Sequence, residues 1–215
     1  LSSLPTFLYL QERALPQPHL AGRNVVKESF ARLGDTLKQV RNYRDLVRFL
    51  VCLVFYQAGI QTVITLAAIY AQQAMGFNTA DTLMLVLVVN VTAALGAFVF
   101  GNVQDRIGHI PTIALTLVGW IIMVLLAWAA VGEHGRAIFW LAANLAGLCL
   151  GASQSAGRAL VGFFSPATRR AEFFGLWGLA VKLSSILGPL TYGLVSWISR
   201  GDHRLAMLIT GGYFI

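Results

Sequence analysis

The feature that most restricts this chain is a series of long apolar runs separated by short polar breaks. A helix needs roughly 20 apolar residues to cross the hydrocarbon core of a bilayer. Runs of that length stand at roughly residues 49–71, 82–104, 110–131, 137–163 and 172–198, and another begins near residue 205. They predict an all-α membrane protein with lipid as its solvent. Composition agrees where it matters. Charged residues make up 12% of the chain, against about a quarter in an average soluble domain, so the polar skin of a soluble fold is missing.

The ends are expected to be truncated. The chain opens on Leu1 rather than Met, and Leu1–Leu10 is an apolar stub with no basic leader and no cleavage site, expected to finish a preceding span. The last run stops at Ile215, so its helix is expected to be incomplete. Residues 11–48 then form a cytoplasmic loop, and residues 49–215 the bundle. Cys52 and Cys149 both fall inside spans, without the pairing or spacing of a disulfide framework or a metal site, and read as small apolar fillers.

The net charge of +7 invites a nucleic-acid reading, but its distribution excludes that partner. Eight of the sixteen basic residues lie between Arg13 and Arg48. Arg106, Arg169 and Arg170 fall in loops on that same side, while the opposite loops hold Arg136, Arg200 and Arg204. Such asymmetry is the positive-inside rule, and it makes the amino-terminal segment cytoplasmic. Within that segment Val26, Phe30, Leu33, Leu37 and Val40 recur at intervals of four and three, with Lys27, Arg32, Lys38 and Arg41 on other faces. This predicts an amphipathic helix lying on anionic headgroups or on the bundle's cytoplasmic ends.

Ionisable and amide groups inside spans mark candidate functional positions, because hydrocarbon penalises them. Lys182 lies ten residues past Glu172, about 15 Å deep at 1.5 Å per residue, too deep for an easy reach to the surface. Arg158 is close enough to its span's cytoplasmic end to snorkel. It belongs to a stripe of Asn144, Gly147, Gly151, Gln154 and Arg158; a second stripe holds Gly175, Gly178, Lys182, Ser185 and Pro189. Each stripe is consistent with close helix packing, with a water-filled cavity, or with both at different depths. Gln57 and Gln61, one turn apart, can bond a polar solute or a neighbouring helix. Asn90, Ala94, Ala97 and Gly101 form a small-residue face expected to pack, and Gly188–Pro189 is expected to kink its helix. No Asp or Glu falls deep in a span; Asp81, Asp105 and Glu172 stand at span ends. A carboxylate relay for coupled proton transport would have to lie outside this chain.

Two motifs carry a family resemblance. Gly101-Asn102-Val103-Gln104-Asp105-Arg106-Ile107-Gly108 resembles the G-x-x-x-D-R-x-G loop of the major facilitator superfamily, although His109, Ile110 and Pro111 follow where basic residues are usual. Gly151, Gln154, Arg158, Pro166, the run Glu172-Phe173-Phe174-Gly175, Lys182 and Gly188–Pro189 are similar to the vacuole-effluxer-like branch, related to an autophagy-associated amino-acid effluxer. The resemblance implies a twelve-helix protein of which this chain is the carboxyl-terminal six-helix bundle, with solute bound between two halves that alternate access. It implies a secondary transporter for small solutes such as amino acids, in a bacterial inner membrane, working with the missing amino-terminal half and with lipid, and needing no cofactor or metal. Lys182, Gln154, Gln57, Gln61 and Asn144 would then face the solute, while Gly101, Asp105, Arg106, Gly108, Arg158 and Glu172 would form the cytoplasmic gate.

Sugar-type symporters share parts of the pattern and stay open, as does a non-transporting scaffold on the same fold. An intramembrane enzyme is not supported. Ser153 and Ser155 lack a nucleophile-elbow context, no HExxH occurs, and all four histidines fall between spans.

Overall fold

In the computed structural model the described residues are 43–166 and 169–215, together with Gly34. Every regular element among them is helical: α1 Arg44–Gln73, α2 Thr79–Ile107, α3 His109–Ala129, α4 Gly135–Phe164, α5 Arg170–Ile198 and α6 His203–Gly211, followed by a 3-10 turn at Gly212–Phe214. The first five are long and apolar enough to cross a membrane. The stub at 1–10 and the amphipathic helix expected over Val26–Val40 lie outside the described residues. α1 starts at Arg44, ahead of the apolar run, because polar residues extend a helix beyond the hydrocarbon once its interior is fixed.

Short connections force neighbours to run antiparallel. Starts and stops follow local chemistry. Asn78 and Asp81 form a reciprocal capping box at the head of α2, with Asp81 N donating to Asn78 Oδ1 at 2.8 Å. Asp202 caps α6 by accepting from Arg204 N and Leu205 N, both at 3.0 Å. Between α2 and α3 stands Gly108 alone, at φ 91°, a backbone geometry that strains any residue with a Cβ.

Two helix pairs make the closest approaches. α2 meets α4 backbone to backbone: a Cβ on Gly96 would run into the Leu148 carbonyl, one on Gly147 into Thr92 and the Val89 carbonyl, and one on Gly151 into the backbone of Ala93 and Ala97. Such proximity turns small residues into contact area, which is how helices associate where no hydrophobic drive exists between them. α1 meets α5 through Gly188, seated against the Ala58 carbonyl and the Thr62 hydroxyl, and through Ser184, whose hydroxyl donates to Val54 O at 2.9 Å.

α3 and α6 brace these pairs. Trp120 of α3 donates Nε1–H to Ser153 Oγ of α4 at 3.0 Å and stacks on Phe214 with centroids 5.4 Å apart. Phe214 in turn covers Gly59 of α1. Tyr70 ties α1 to α3 by donating to Ala127 O at 3.0 Å.

Two expected packing faces differ in the structure. On α2 the face turned to α4 is Thr92, Ala93, Gly96 and Ala97, whereas Asn90 and Ala94 are exposed and a Cβ on Gly101 would meet nothing within 4 Å. The α4 glycines select the row of α2 that lets carbonyls come closest, about 100° from the expected one. On α5, Gly175 and Gly178 pack against no described residue, and Ser184 with Gly188 makes the contact instead. α5 is a continuous helix through Pro189, whose missing N–H leaves the Ser185 carbonyl without its helical donor. Cys149 is buried beside Gly119, and Cys52 is exposed.

Candidate functional site

The polar groups expected to face solute fall into two classes. Lys182 is exposed, twelve residues after Arg170 and sixteen before Ile198, close to the middle of α5. Ser185 is exposed one turn on, its hydroxyl turned back to Lys182 O at 2.7 Å. Gln61 and Gln154 are half-buried. Asn144 is half-buried as well and donates its amide to Trp140 O on its own helix at 2.8 Å.

Gln57 differs from all of these. It is 4% exposed, and its Nε2 is buried without a hydrogen-bond partner. Its neighbours in sequence define where it sits: Tyr56 reaches Gly157 of α4, while Ala58 meets Gly188 of α5. Gln57 thus lies between the contacts that α1 makes with α4 and with α5.

Arg158, near the inner end of α4, holds its guanidinium 5.7 Å from the Trp177 ring of α5. The cation–π contact spans two helices that otherwise touch little, and sequence reasoning missed it because Trp177 lies on no polar stripe. Among the described residues neither Lys182 nor Arg158 has a carboxylate within ion-pair range. A cation exposed near the centre of a span costs about 2.5–3.5 kcal/mol if it faces lipid, so the α5 face carrying Lys182 is a poor lipid surface.

The signature segment occupies the last turns of α2 and the corner at Gly108. Asp105 and Arg106 are exposed there, and neither is paired with any described residue. Asp105 does not cap α3, whose first residue follows Gly108 with no side-chain cap. Gln104, which the motif leaves unspecified, is the buried member of the segment and bonds His109. Glu172 is exposed in the first turn of α5, where a carboxylate complements the helix dipole.

A second polar group, unflagged in the sequence, closes the opposite end. Arg136 of α4 pairs with Asp81 of α2 at 2.5 Å and lies 4.8 Å over the Phe77 ring. Arg204 donates to Trp128 O, and Tyr192 Oη lies 3.0 Å from His203 Nδ1. These contacts join the ends of different helices, whose approach no spacing rule along one helix predicts.

An apolar cavity of about 200 Å³ lies between α1, α2 and α4, floored by Trp120 and Met123, with the exposed Asn90 at its edge as its polar member. None of the sequence-derived solute residues line it. A site built between halves would leave those residues on the outside of one half, where Lys182 stands.

The comparisons with known proteins follow this architecture. Residues 1–210 match the model of the family described as vacuole effluxer Atg22 like. The chain belongs to that family. It is 28% identical over 201 residues to an uncharacterized MFS-type transporter, YxiO, of Bacillus subtilis, covering 93% of this chain and 45% of that protein. It is 24% identical to autophagy-related protein 22 of Candida glabrata over 185 residues, covering 80% of this chain and 33% of that one. Autophagy-related protein 22 of Saccharomyces cerevisiae is 24% identical over 192 residues, with 81% and 34% covered. The chain therefore spans less than half the length of these relatives. Membership makes this a multi-pass membrane protein of a transporter family rather than of an enzyme family.

Proposed function

We propose that this chain is one half of a secondary active transporter that moves a small solute by alternating access. The observation that carries the reading is Lys182, a cation exposed at mid-span on a helix face where a Cβ on Gly175 or Gly178 would meet no described residue. Lys182, Gln154, Gln57, Gln61 and Asn144 form the solute-facing set, completed by a second half of the full-length protein. Gly101, Asp105, Arg106, Gly108, Arg158 and Glu172 form the cytoplasmic gate. Unpaired Asp105 and Arg106 suit a latch that engages in another conformation of the cycle. The family's description as a vacuole effluxer supports export of a solute, for which the motif resemblance implies an amino acid or a similar small molecule, and the relative from Bacillus subtilis supports a bacterial cell membrane as the location.

The test is solute flux in vesicles reconstituted with the full-length protein. Lys182→Ala should lower flux by at least about tenfold while membrane insertion and thermal stability stay at the wild-type level. Wild-type flux in this variant would remove Lys182 from the site. A wild-type protein that inserts and folds but moves none of a panel of amino acids and sugars would favour a scaffold.

A further inference from the structure

The corner between α2 and α3 is a single residue. Gly108 ends one helix and begins the next, its N–H donating to Gln104 O at 2.9 Å and its carbonyl accepting from Thr112 Oγ1 at 2.7 Å. Across it the side chains of Gln104 and His109 are bonded, Nε2 to Nδ1, at 2.7 Å. Gln104 is 7% exposed, and its Oε1 is buried without a partner. His109 is half-buried, with its ring 5.4 Å from Phe163 of α4.

We propose that Gln104 and His109 form a proton-sensitive lock on this corner, closed while the imidazole is neutral and loosened when it is protonated. An Nδ1 that accepts from the amide carries a lone pair, so the ring is neutral with its proton on Nε2. Protonation makes both ring nitrogens donors, and the amide N–H then faces another N–H. Turning the amide over restores a bond to the ring. It also moves the NH₂ group to the buried position where Oε1 now has no partner, exchanging an unpaired buried oxygen for an unpaired buried N–H, the rarer and less tolerated of the two. The amino-terminal end of α3 adds a positive potential that opposes the imidazolium. The bond as it stands needs an Nδ1 with a free lone pair, so taking up a proton there opens the lock. Histidine is the side chain whose charge ordinarily changes between about pH 5 and pH 8.

Among the described residues the charged surroundings are few. From α2, Asp105 and Arg106 flank Gln104 and are exposed. From α4 the neighbour is Phe163, and the nearest cation along that helix, Arg158, is engaged with Trp177. From α1, Asp45 and Arg48 line a groove with Ile110 and Ile113 and pair with each other at 3.6 Å.

The test is hydrogen exchange on the full-length protein in nanodiscs, following the amides from Asp105 to Thr112 with the intrinsic pH dependence divided out. Protection in the wild type should fall about fivefold between pH 8 and pH 5.5, the difference between a formed and a mismatched bond. His109→Phe keeps a ring against Phe163 and should show protection independent of pH. Gln104→Leu should show low protection at both ends of the range. A flat wild-type profile, or a pH dependence that survives in either variant, overturns the proposal. The inference takes this end of the bundle as the gate, but the exchange reads the corner itself, so its failure leaves the transport reading standing.

Discussion

The seam between α2 and α4 and the open face of α5 are written in the same alphabet and do opposite things. Both are rows of small residues at intervals of three and four. In the seam, Gly96, Gly147 and Gly151 have no room for a methyl group. On α5, Gly175 and Gly178 have open space where a Cβ would stand, and Lys182 and Ser185 continue the row outward. Glycine therefore marks a place where a backbone can be approached, not one where it has been. What separates the two is the company: the seam is opposed by Thr92, Ala93 and Ala97, which satisfy their own polar atoms, whereas the α5 row carries a cation that no described carboxylate neutralises.

The largest effects should come from filling the glycines. Gly151→Leu drives a side chain into the Ala93 carbonyl and should cost about 3 kcal/mol or more, read as loss of a monodisperse, cooperatively melting protein in detergent. Gly175→Leu should leave the melting temperature unchanged or raise it slightly, since leucine is the better helix former by about 0.8 kcal/mol. If Gly175→Leu proves as damaging as Gly151→Leu, the α5 face is a second packed seam, closed by the other half of the protein, and the comparison breaks.

Gln57 sharpens the contrast from between the two regions. Removing a buried donor that has no partner takes away a desolvation cost, so Gln57→Leu should stabilise the protein by about 1 kcal/mol. If the amide serves the solute, flux should fall in the same variant that melts higher. A lower melting temperature with unchanged flux would make Gln57 a structural residue of the α1 interior.

How far the sequence could be read follows from the same contrast. The spans were legible because run length is set by bilayer thickness and needs no neighbour: four of the expected runs fall within α1, α2, α4 and α5, and the fifth overruns α3 by two residues. The side of each helix was not. The row on α2 that packs is fixed by where Gly147 and Gly151 of α4 come to rest, and a sequence read along one helix has no access to that. Lys182 was legible as a mid-span cation and Asp105–Arg106 as a motif. The Trp177 ring under Arg158 and the Gln104–His109 bond were not, because each depends on two helices meeting at one depth.

The smallest effect tests whether the two regions differ in rigidity as well as in packing. Arg136 and Arg158 each sit over an aromatic ring, at 4.8 Å from Phe77 and 5.7 Å from Trp177. Arg136 is also paired with Asp81 across the α2–α4 seam, while Arg158 joins α4 to α5 with no described carboxylate in range. A partly exposed cation–π contact contributes about 0.5–1 kcal/mol, and a surface ion pair about as much or less. Trp177→Leu and Asp81→Asn should therefore each lower stability by less than about 1 kcal/mol. Their kinetic consequences should diverge. Asp81→Asn loosens a seam already held by three glycine contacts and should leave flux unchanged. Trp177→Leu frees the only described contact of Arg158, the cation proposed for the gate, and should change the rate of conformational exchange between the helices, seen as a shift in distance distributions between spin labels on α4 and α5. Equal distributions in the wild type and in Trp177→Leu would mean that Arg158 is held by something other than the ring, and that the open face is as rigid as the seam.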